Sequence, residues 1–275
     1  MKQKNLPVKT GLVGCGAMGS FLAKQILKEF RGRAVLTALC DHHEENRTRL
    51  LKRLKLRVPA KNLEETLEAS DLILEAASQD AACRLLLHPS AGSKTFLIMS
   101  VGGILKALEQ KPDLLSCFRG RIIVPSGAVA GIDGLLAARE AGLRSVTLKT
   151  RKPPEALREA PFFRSRKFPP LAGSREVCLF RGAAARAVKA FPQNINVAAV
   201  LSLAGLGSLK TRVEIWTSKS FRGNQHEIFI RHKRGTLRVT ADNEPSPENK
   251  KTSALAIFAA LAALRKSFDA LKIGT

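Results

Sequence analysis

The chain has 275 residues, of which 45% are hydrophobic, and it carries a formal net charge of +23. That length and content predict one large domain or two modest ones with sizeable cores. No apolar run reaches the ~20 residues that a membrane-spanning helix needs, and no signal-peptide core is visible, so we expect a cytoplasmic protein. Five scattered cysteines without a Cys-x-x-Cys pair favour neither a zinc site nor a disulfide framework, and we expect no metal.

The strong positive charge has three explanations. It is a solvated surface that favours solubility, a field that draws anionic ligands inward, or a surface that binds a polyanion such as nucleic acid. Aromatic residues make up only 5% of the chain, tyrosine is absent, and no nucleic-acid-binding module is visible. We therefore favour the solvated surface and expect no nucleic-acid partner.

The first predicted elements form a dinucleotide-binding turn. An apolar strand over 8–14 leads into a Gly-x-Gly-x-x-Gly motif, which opens a helix over Ala17–Phe30. The first glycine allows a tight turn, the second lets the backbone approach a pyrophosphate, and the third lets helix and strand pack closely. A second strand, 34–41, ends in an acid that can accept both ribose hydroxyls. We predict that these residues bind NAD: Gly14, Gly16, Ala17, Met18, Gly19 and Asp41.

Strands and helices continue to alternate as far as residue 125. Further strands are predicted over 71–77, 94–100 and 121–125, and further helices over 44–56, 63–69 and 80–87. Alternation of this kind predicts a doubly wound parallel sheet of the Rossmann type, with ligands at the carboxyl ends of its strands. Small residues follow three of the strands. Each of these segments is either a tight connection or part of the wall of a cleft. Three such segments at one edge of the sheet favour a cleft, so we predict cofactor contacts at Ala77 and Ser78.

The pattern changes after residue 126. Helices are predicted over 183–191 and 194–204, and alternating strands over 212–217, 225–231 and 235–240. We expect a second α+β domain with an open, mostly antiparallel or mixed sheet and helices on one face. A last helix, 252–271, is rich in alanine and leucine, and we expect it to return to the first domain.

Few side chains are suited to proton chemistry. His42 and His43 are expected beside the adenosine ribose, and His88 and His232 lie in predicted turns. His226 lies at the start of a strand, beside a Gly-Asn turn, where it can reach a cleft. A neutral imidazole can accept or donate a proton near pH 7. On the residues alone, a surface or structural role for His226 stays open.

Segments spread over most of the chain resemble the L-aspartate dehydrogenase family. The most specific are Ser126-Gly-Ala-Val-Ala-Gly-Ile-Asp-Gly134 and Phe191-Pro-Gln-Asn-Ile-Asn-Val-Ala-Ala199. Further matches lie at 14–19, 75–78, 99–102, 147–154, 180–184, 224–228 and 243–249. The chain departs from the family pattern at Lys250, where a proline is expected, and in its high positive charge.

This resemblance implies NAD(P)-dependent oxidative deamination of L-aspartate to iminosuccinate, which hydrolyses to oxaloacetate and ammonia, together with the reverse amination. Such an activity belongs to amino-acid metabolism and NAD biosynthesis. The resemblance makes His226 the catalytic residue and makes Ala130 and Asn196 contacts of the nicotinamide cofactor. It also implies a discontinuous dinucleotide-binding domain, 1–125 plus 245–275, and a homodimer built on the substrate-binding domain, 126–244.

Substrate binding is expected from two segments. The run that begins at Ser126 is expected to bring backbone N–H groups and a hydroxyl near the substrate, which selects Ser126, Gly127 and Ala128. Two substrate carboxylates also need cations, for which Lys149, Arg151 and Lys152 are candidates. Lys149 is the one that we assign.

Several questions stay open on the sequence. The preference between NAD and NADP is one, because Asp41 repels a 2′-phosphate while nearby basic residues attract it. Asn196 can alternatively cap a helix. A different amino-acid-pathway enzyme on the same fold, such as a homoserine-dehydrogenase-like or dihydrodipicolinate-reductase-like protein, is an alternative function. So is a non-catalytic dinucleotide sensor that binds a polyanion.

Overall fold

The computed structural model describes residues 6–192, 196–246 and 249–274, and for 249–252 the backbone alone. The chain divides into two compact units. Unit 1 comprises Met1–Pro125 and Ala260–Leu271, and unit 2 comprises Ser126–Ala259 and Lys272–Thr275. Residues 245–259, which the resemblance assigns to the dinucleotide-binding domain, group with unit 2. Over the described part of the chain, no helix is both long and apolar enough to cross a membrane.

Unit 1 is built on a five-stranded parallel sheet with strand order β2-β1-β3-β4-β5. Its strands are β1 (Val8–Val13), β2 (Ala34–Cys40), β3 (Leu72–Glu75), β4 (Thr95–Ile98) and β5 (Arg121–Ile123). Its helices are α1 (Ala17–Glu29), α2 (Glu44–Leu54), α3 (Leu63–Glu68), α4 (Gln79–Leu87) and α5 (Gly102–Gln110). The strand order reverses between β1 and β3, which is where doubly wound sheets bind their ligands. The predicted Rossmann-type sheet is therefore confirmed, although α5 was not predicted.

The core of unit 1 lies between its sheet and α1. Helix α1 buries Leu22, Ala23 and Ile26 against the sheet. The last helix of the chain, α9 (Ala254–Phe268), adds Ala260 and Leu264 to the same apolar cluster. The beginning and the end of the chain therefore share one core.

Unit 2 carries a five-stranded mixed sheet with strand order β10-β9-β6-β8-β7. Its strands are β6 (Leu143–Lys152), β7 (Val177–Ala183), β8 (Arg212–Thr217), β9 (Asn224–His232) and β10 (Gly235–Asn243). Only β6 and β8 run parallel. Its helices are α6 (Ile132–Glu140), α7 (Ala184–Ala190) and α8 (Asn196–Ala204), and a short hairpin follows, β11 (Pro245–Ser246) and β12 (Asn249–Ser253). The second domain is α+β as predicted, but β6, β7 and α6 were not predicted.

The two faces of the second sheet differ in burial. Helix α6 packs against β6 and β9 and covers one face, which we call the inner face. Alternate residues of β6 and β9 are buried there, as a strand with one covered face requires. The inner face is apolar along most of its length and becomes polar where β6 and β8 end. We call that region the polar end; it comprises Thr150, Lys152, Thr217, Asn224, His226 and Asn243.

Candidate active site

The turn between β1 and α1 has the geometry of a phosphate site. Gly14 has a φ of +96°, and a Cβ there would lie 2.5 Å from the carbonyl oxygen of Ala76. A Cβ on Gly19 would lie 1.8 Å from the carbonyl oxygen of Gly14. In contrast, a Cβ on Gly16 would meet nothing within 4 Å. Gly14 and Gly19 are thus required by the packing of the protein, whereas Gly16 faces open space, where the glycine motif predicts a pyrophosphate.

Helix α1 presents its N-terminus to that space. Gly16 is its N-cap and forms no side-chain capping bond, and the first turn contains no acidic residue. Ala17 and Met18 begin the helix, where backbone N–H groups have no acceptor within the helix. The positive end of the helix dipole and these donors suit an anionic phosphate.

Asp41 lies directly after β2, beside the glycine turn. One oxygen of its carboxylate accepts a hydrogen bond from the backbone N–H of Cys15 at 2.6 Å, and the other accepts from the N–H of His43 at 2.8 Å. The oxygen that accepts from His43 also accepts from the Asn46 side-chain amide at 3.4 Å, so the oxygen that accepts from Cys15 is the one with a further lone pair for a ribose hydroxyl. Asp41 therefore shapes the turn and also offers an acceptor to a ligand.

A cavity of about 660 Å³ opens at this edge of the sheet. That volume is typical of a site for a small molecule or cofactor. Its walls include Gly14 and Asp41 from the first two strand ends and Ala77 and Ser78 from the third. The structure thus brings together residues that the sequence placed in one cofactor site. Arg47 and Arg84 also line the cavity, and each is paired with a glutamate, at 3.0 Å.

Glu75, at the end of β3, organises two loops at this edge. One carboxylate oxygen accepts hydrogen bonds from the N–H groups of Ala77 (2.8 Å) and Ser78 (3.1 Å) and from the Ser100 hydroxyl (2.9 Å). The other accepts from the N–H of Ser100 at 2.9 Å. Complete burial raises the pKa of Glu75, and these four donors oppose that rise. We did not predict a role for Glu75 from the sequence, although a charge at the end of an otherwise apolar strand is a signal for it.

In unit 2, His226 is held inside the polar end. Its side chain is only 3% exposed, and Nδ1 lies 2.5 Å from the hydroxyl of Thr150 on the neighbouring strand. Burial, and then the charge of Lys152, lower the pKa of His226 to about 3. The imidazole is therefore neutral at pH 7, and its protonation becomes easier only when negative charge arrives nearby.

The three candidate cations on β6 lie on different faces of the sheet. Lys149 points away from His226: its Nζ lies 4.6 Å from the centre of the Trp216 ring and 3.8 Å from a Glu176 oxygen. Arg151 shares that outer face and bonds to Glu176. Lys152 lies on the inner face with His226. The structure therefore does not bring Lys149, the cation that we assign to a substrate carboxylate, to His226, because successive strand residues point to opposite faces.

The segment that begins at Ser126 packs beside the polar end. The Asn243 side chain donates a hydrogen bond to the carbonyl oxygen of Ala128 at 2.9 Å. Asn243 in turn pairs with Asn224 in the β9–β10 register, two residues from His226. Gly127 has a φ of +72°, and a Cβ added there would meet nothing within 4 Å. The structure thus brings Ala128 to the end of the sheet that carries His226, and Ser126 and Gly127 directly precede it in the chain.

The two residues that are predicted to contact the nicotinamide, Ala130 and Asn196, are not buried like His226. Ala130 is exposed, in the turn that precedes α6, and Asn196 is exposed at the start of α8. The residues immediately before Asn196 lie outside the described part of the chain, so its capping role stays untested. Both cofactor contacts stay predictions.

A glycine turn suited to a phosphate, an acid at the next strand end and a second unit with a buried histidine are typical of an NAD(P)-dependent oxidoreductase. The NAD-binding domain of homoserine dehydrogenase matches residues 14–119, and the C-terminal domain of aspartate dehydrogenase matches residues 133–267. The L-aspartate dehydrogenase of Methanosarcina acetivorans is 40% identical over 98% of this chain and 100% of its own. The L-aspartate dehydrogenase of Nitrosopumilus maritimus is 37% identical over 97% of this chain and 99% of its own. The chain belongs to the L-aspartate dehydrogenase family.

Solved structures share the fold. Aspartate dehydrogenase from Thermotoga maritima superposes with a TM-score of 0.68 at 22% identity, over 97% of this chain and 99% of that one. Scyllo-inositol dehydrogenase from Lactobacillus casei reaches 0.56 at 15% identity, over 97% and 88%. At these identities the likeness extends to the fold alone.

Proposed function

We propose that this protein is an NAD(P)-dependent L-aspartate dehydrogenase that oxidises L-aspartate to iminosuccinate, which water converts to oxaloacetate and ammonia. The observation that carries the proposal is the buried His226, bonded to Thr150 beside Lys152, in a chain whose relatives bear that name. A buried polar cluster of this kind suits a small, charged substrate better than an apolar one.

Bound NAD supplies the hydride acceptor for the Cα–H bond of the substrate. Residues Gly14 to Gly19, with Asp41, Ala77 and Ser78, hold the cofactor, and Ala130 and Asn196 contact its nicotinamide. Glu75 keeps the loops that carry Ala77 and Ser78 in place. Asp41 favours NAD over NADP, because its carboxylate repels a 2′-phosphate.

His226 acts on the substrate through its imidazole. Thr150 fixes the ring through Nδ1, which leaves Nε2 to face the reacting groups. With a pKa of about 3 the free imidazole is a weak base, but the two carboxylates of aspartate raise its basicity when they bind. His226 can then take a proton from the water that attacks the imine carbon, or orient a carboxylate through a hydrogen bond. Backbone groups of Ser126, Gly127 and Ala128 contact the substrate.

Two statements about the setting are part of the same proposal. The protein works in the cytoplasm, and it forms a homodimer through the outer face of the second sheet, where Phe229 is 40% exposed. The high positive charge is a solvated surface and needs no nucleic-acid partner. The homoserine dehydrogenase match supports the cofactor site but not a homoserine substrate, because it ends at residue 119.

The test is an assay of reduced nicotinamide by absorbance. NAD and NADP are each offered with a panel of L-amino acids that includes aspartate, glutamate and homoserine, and the reverse reaction is run with oxaloacetate and ammonia. We expect aspartate to give the highest kcat/KM. Equal or better turnover of another amino acid refutes the substrate assignment. If the protein turns over none of the amino acids, the alternative of a non-catalytic dinucleotide sensor replaces it.

A further inference from the structure

A second cavity lies within unit 2, where β9 begins and β10 ends. Its volume is about 490 Å³, which is ample for a small molecule. We call it the outer cavity, because its floor includes Gln225, which precedes His226 on β9 and so points to the opposite face of the sheet. Phe229, which marks the proposed dimer contact, lies further along the same strand, about 13 Å from Gln225. Neither His226 nor the dimer contact therefore accounts for this cavity.

Three side chains from neighbouring strands form an ordered floor. Arg151, Gln225 and Asp242 are register partners across β6, β9 and β10. Arg151 donates from Nη1 to Oε1 of Gln225 at 2.6 Å, and Gln225 donates from Nε2 to Oδ1 of Asp242 at 2.6 Å. Arg151 is also bonded to Glu176 at 3.1 Å and paired with Glu227 at 3.3 Å. The protein thus balances the charge of Arg151, whereas in the described part of the chain Asp242 receives only a neutral amide.

The loop between β8 and β9 forms a fixed wall of the outer cavity. The fully buried Ser218 holds this loop, because its Oγ accepts a hydrogen bond from the backbone N–H of Ser220 at 3.2 Å. Gly223 lies against the end of β10, where a Cβ would come within 2.6 Å of the Asn243 carbonyl oxygen. Arg222 lies between these two points and lines the cavity. The wall is therefore formed before a ligand arrives, as is usual for small-molecule sites.

Arg222 and Glu244 bring free charges to the outer cavity. Both are exposed, and within the described ranges neither side chain has a hydrogen-bond or ion-pair partner. Together with Asp242 they present one guanidinium group and two carboxylates to a ligand. The cavity is thus acidic, although the chain as a whole carries a net charge of +23. A ligand that pairs with these groups one to one has one anionic and two cationic groups.

We propose that the outer cavity binds a free basic α-amino acid such as L-lysine or L-ornithine. Arg222 holds its α-carboxylate, and Asp242 and Glu244 hold its two ammonium groups. An acidic amino acid is disfavoured, because its second carboxylate has no cation to pair with and is repelled by the acidic side chains. The site thus differs from the active site in both ligand and position, and the proposal goes beyond the proposed function.

A divalent cation fits the outer cavity less well. Such ions take six or more oxygen ligands, and the guanidinium of Arg222 would repel them. Among the residues that the structure describes, no three histidine, cysteine or acidic side chains are grouped closely enough to hold a metal ion.

The test measures binding to the full-length protein by calorimetry and does not depend on turnover. L-lysine is compared with three probes that each lack one charge. L-norleucine lacks the ε-ammonium group, cadaverine lacks the carboxylate, and Nα-acetyl-L-lysine, which represents a lysine within a protein, lacks the α-ammonium group. We expect L-lysine to bind at least about fivefold more tightly than each probe, which is the upper range for one exposed ion pair.

Four variants locate the binding. Arg222→Met and Glu244→Gln should each lower the affinity for L-lysine by at least about fivefold. Arg49→Met and Glu68→Gln are the matched controls, because they change exposed residues of the same types in unit 1, and they should leave the affinity unchanged. All four side chains are exposed, so each variant is expected to fold. The proposal is overturned if L-lysine does not bind, if any probe binds as tightly, or if Arg222→Met or Glu244→Gln retains full affinity.

Discussion

Gly16 and Gly19 allow stability and cofactor binding to be separated by two minimal substitutions. Gly19→Ala would place a Cβ 1.8 Å from the Gly14 carbonyl oxygen, whereas side-chain carbons in proteins stay at least 3.0 Å from such atoms. Helix α1 and the turn must therefore move apart by about 1.2 Å. Overpacking of this kind costs about 1–3 kcal/mol, and the better helix propensity of alanine returns only ~1 kcal/mol. Because a displacement of about 1.2 Å places the cost at the upper end of that range, we expect Gly19→Ala to lower the free energy of unfolding by about 2 kcal/mol.

Gly16→Ala should instead weaken cofactor binding and leave the stability of the protein nearly unchanged. Its Cβ meets no protein atom, and its φ of −68° suits alanine, so the free energy of unfolding should change by no more than about 0.5 kcal/mol. The added methyl group occupies the space through which the pyrophosphate approaches. We expect a loss of at least about tenfold in NADH affinity, or ~1.4 kcal/mol.

Both variants are compared with the unchanged protein by urea unfolding, followed by circular dichroism, and by NADH fluorescence titration. The expected pattern is a stability loss for Gly19→Ala and an affinity loss without a stability loss for Gly16→Ala. A Gly16→Ala variant with full NADH affinity would refute the assignment of this turn to the pyrophosphate. A fully stable Gly19→Ala variant would show that the helix and turn are not in the close contact described.

Three other substitutions test the remaining parts of the site. Asp41→Ala should weaken NAD binding and narrow the gap to NADP in kcat/KM, and an unchanged ratio would argue against its role in nucleotide choice. His226→Ala should lower kcat by about 10²–10⁴-fold if the imidazole transfers protons, or raise KM if it orients a carboxylate, with His232→Ala, at the far end of the same strand, as the control. Glu75→Gln should raise the Kd for NADH more than Ser100→Ala does. The new side-chain amide places an N–H donor against the Ser100 N–H donor, whereas Ser100→Ala removes only one hydroxyl donor. Equal increases in Kd for the two variants would contradict this reasoning.

The first unit was predictable because its signals are local. The glycine turn, the apolar strands and the acid at Asp41 each follow from neighbouring residues, and the parallel sheet follows from their alternation. Helix α5 was missed because it begins with Gly102 and Gly103, which read as a connection. A Cβ on Gly103 would clash with the Gln79 carbonyl oxygen at 2.5 Å, so close packing against α4 explains those glycines. Information of that kind is tertiary.

The second unit was harder to predict because the sequence of β6, the strand that carries Thr150 and Lys152, lacks the usual pattern of a strand. Strand β6 ends in Thr-Leu-Lys-Thr-Arg-Lys, where polar residues occupy both faces and hide the alternation. Because β6 was not predicted, the face of the sheet that each of its residues occupies was unknown. Lys149 and Lys152 were therefore equivalent candidates. The position of His226 was predictable from the resemblance, but its bond to Thr150 joins residues 76 positions apart and needs the sheet register.

The shared core of the two chain ends has a consequence for biosynthesis. Ala260 and Leu264 of α9 pack in the cluster that also contains Leu12 and Ile26. During translation, the residues of β1 to β5 leave the ribosome long before α9 is made, so the apolar surface that α9 covers stays exposed throughout the synthesis of unit 2. Unit 1 can therefore complete its core only after nearly all of unit 2 has been synthesised, although its sheet is the first part of the chain to be made.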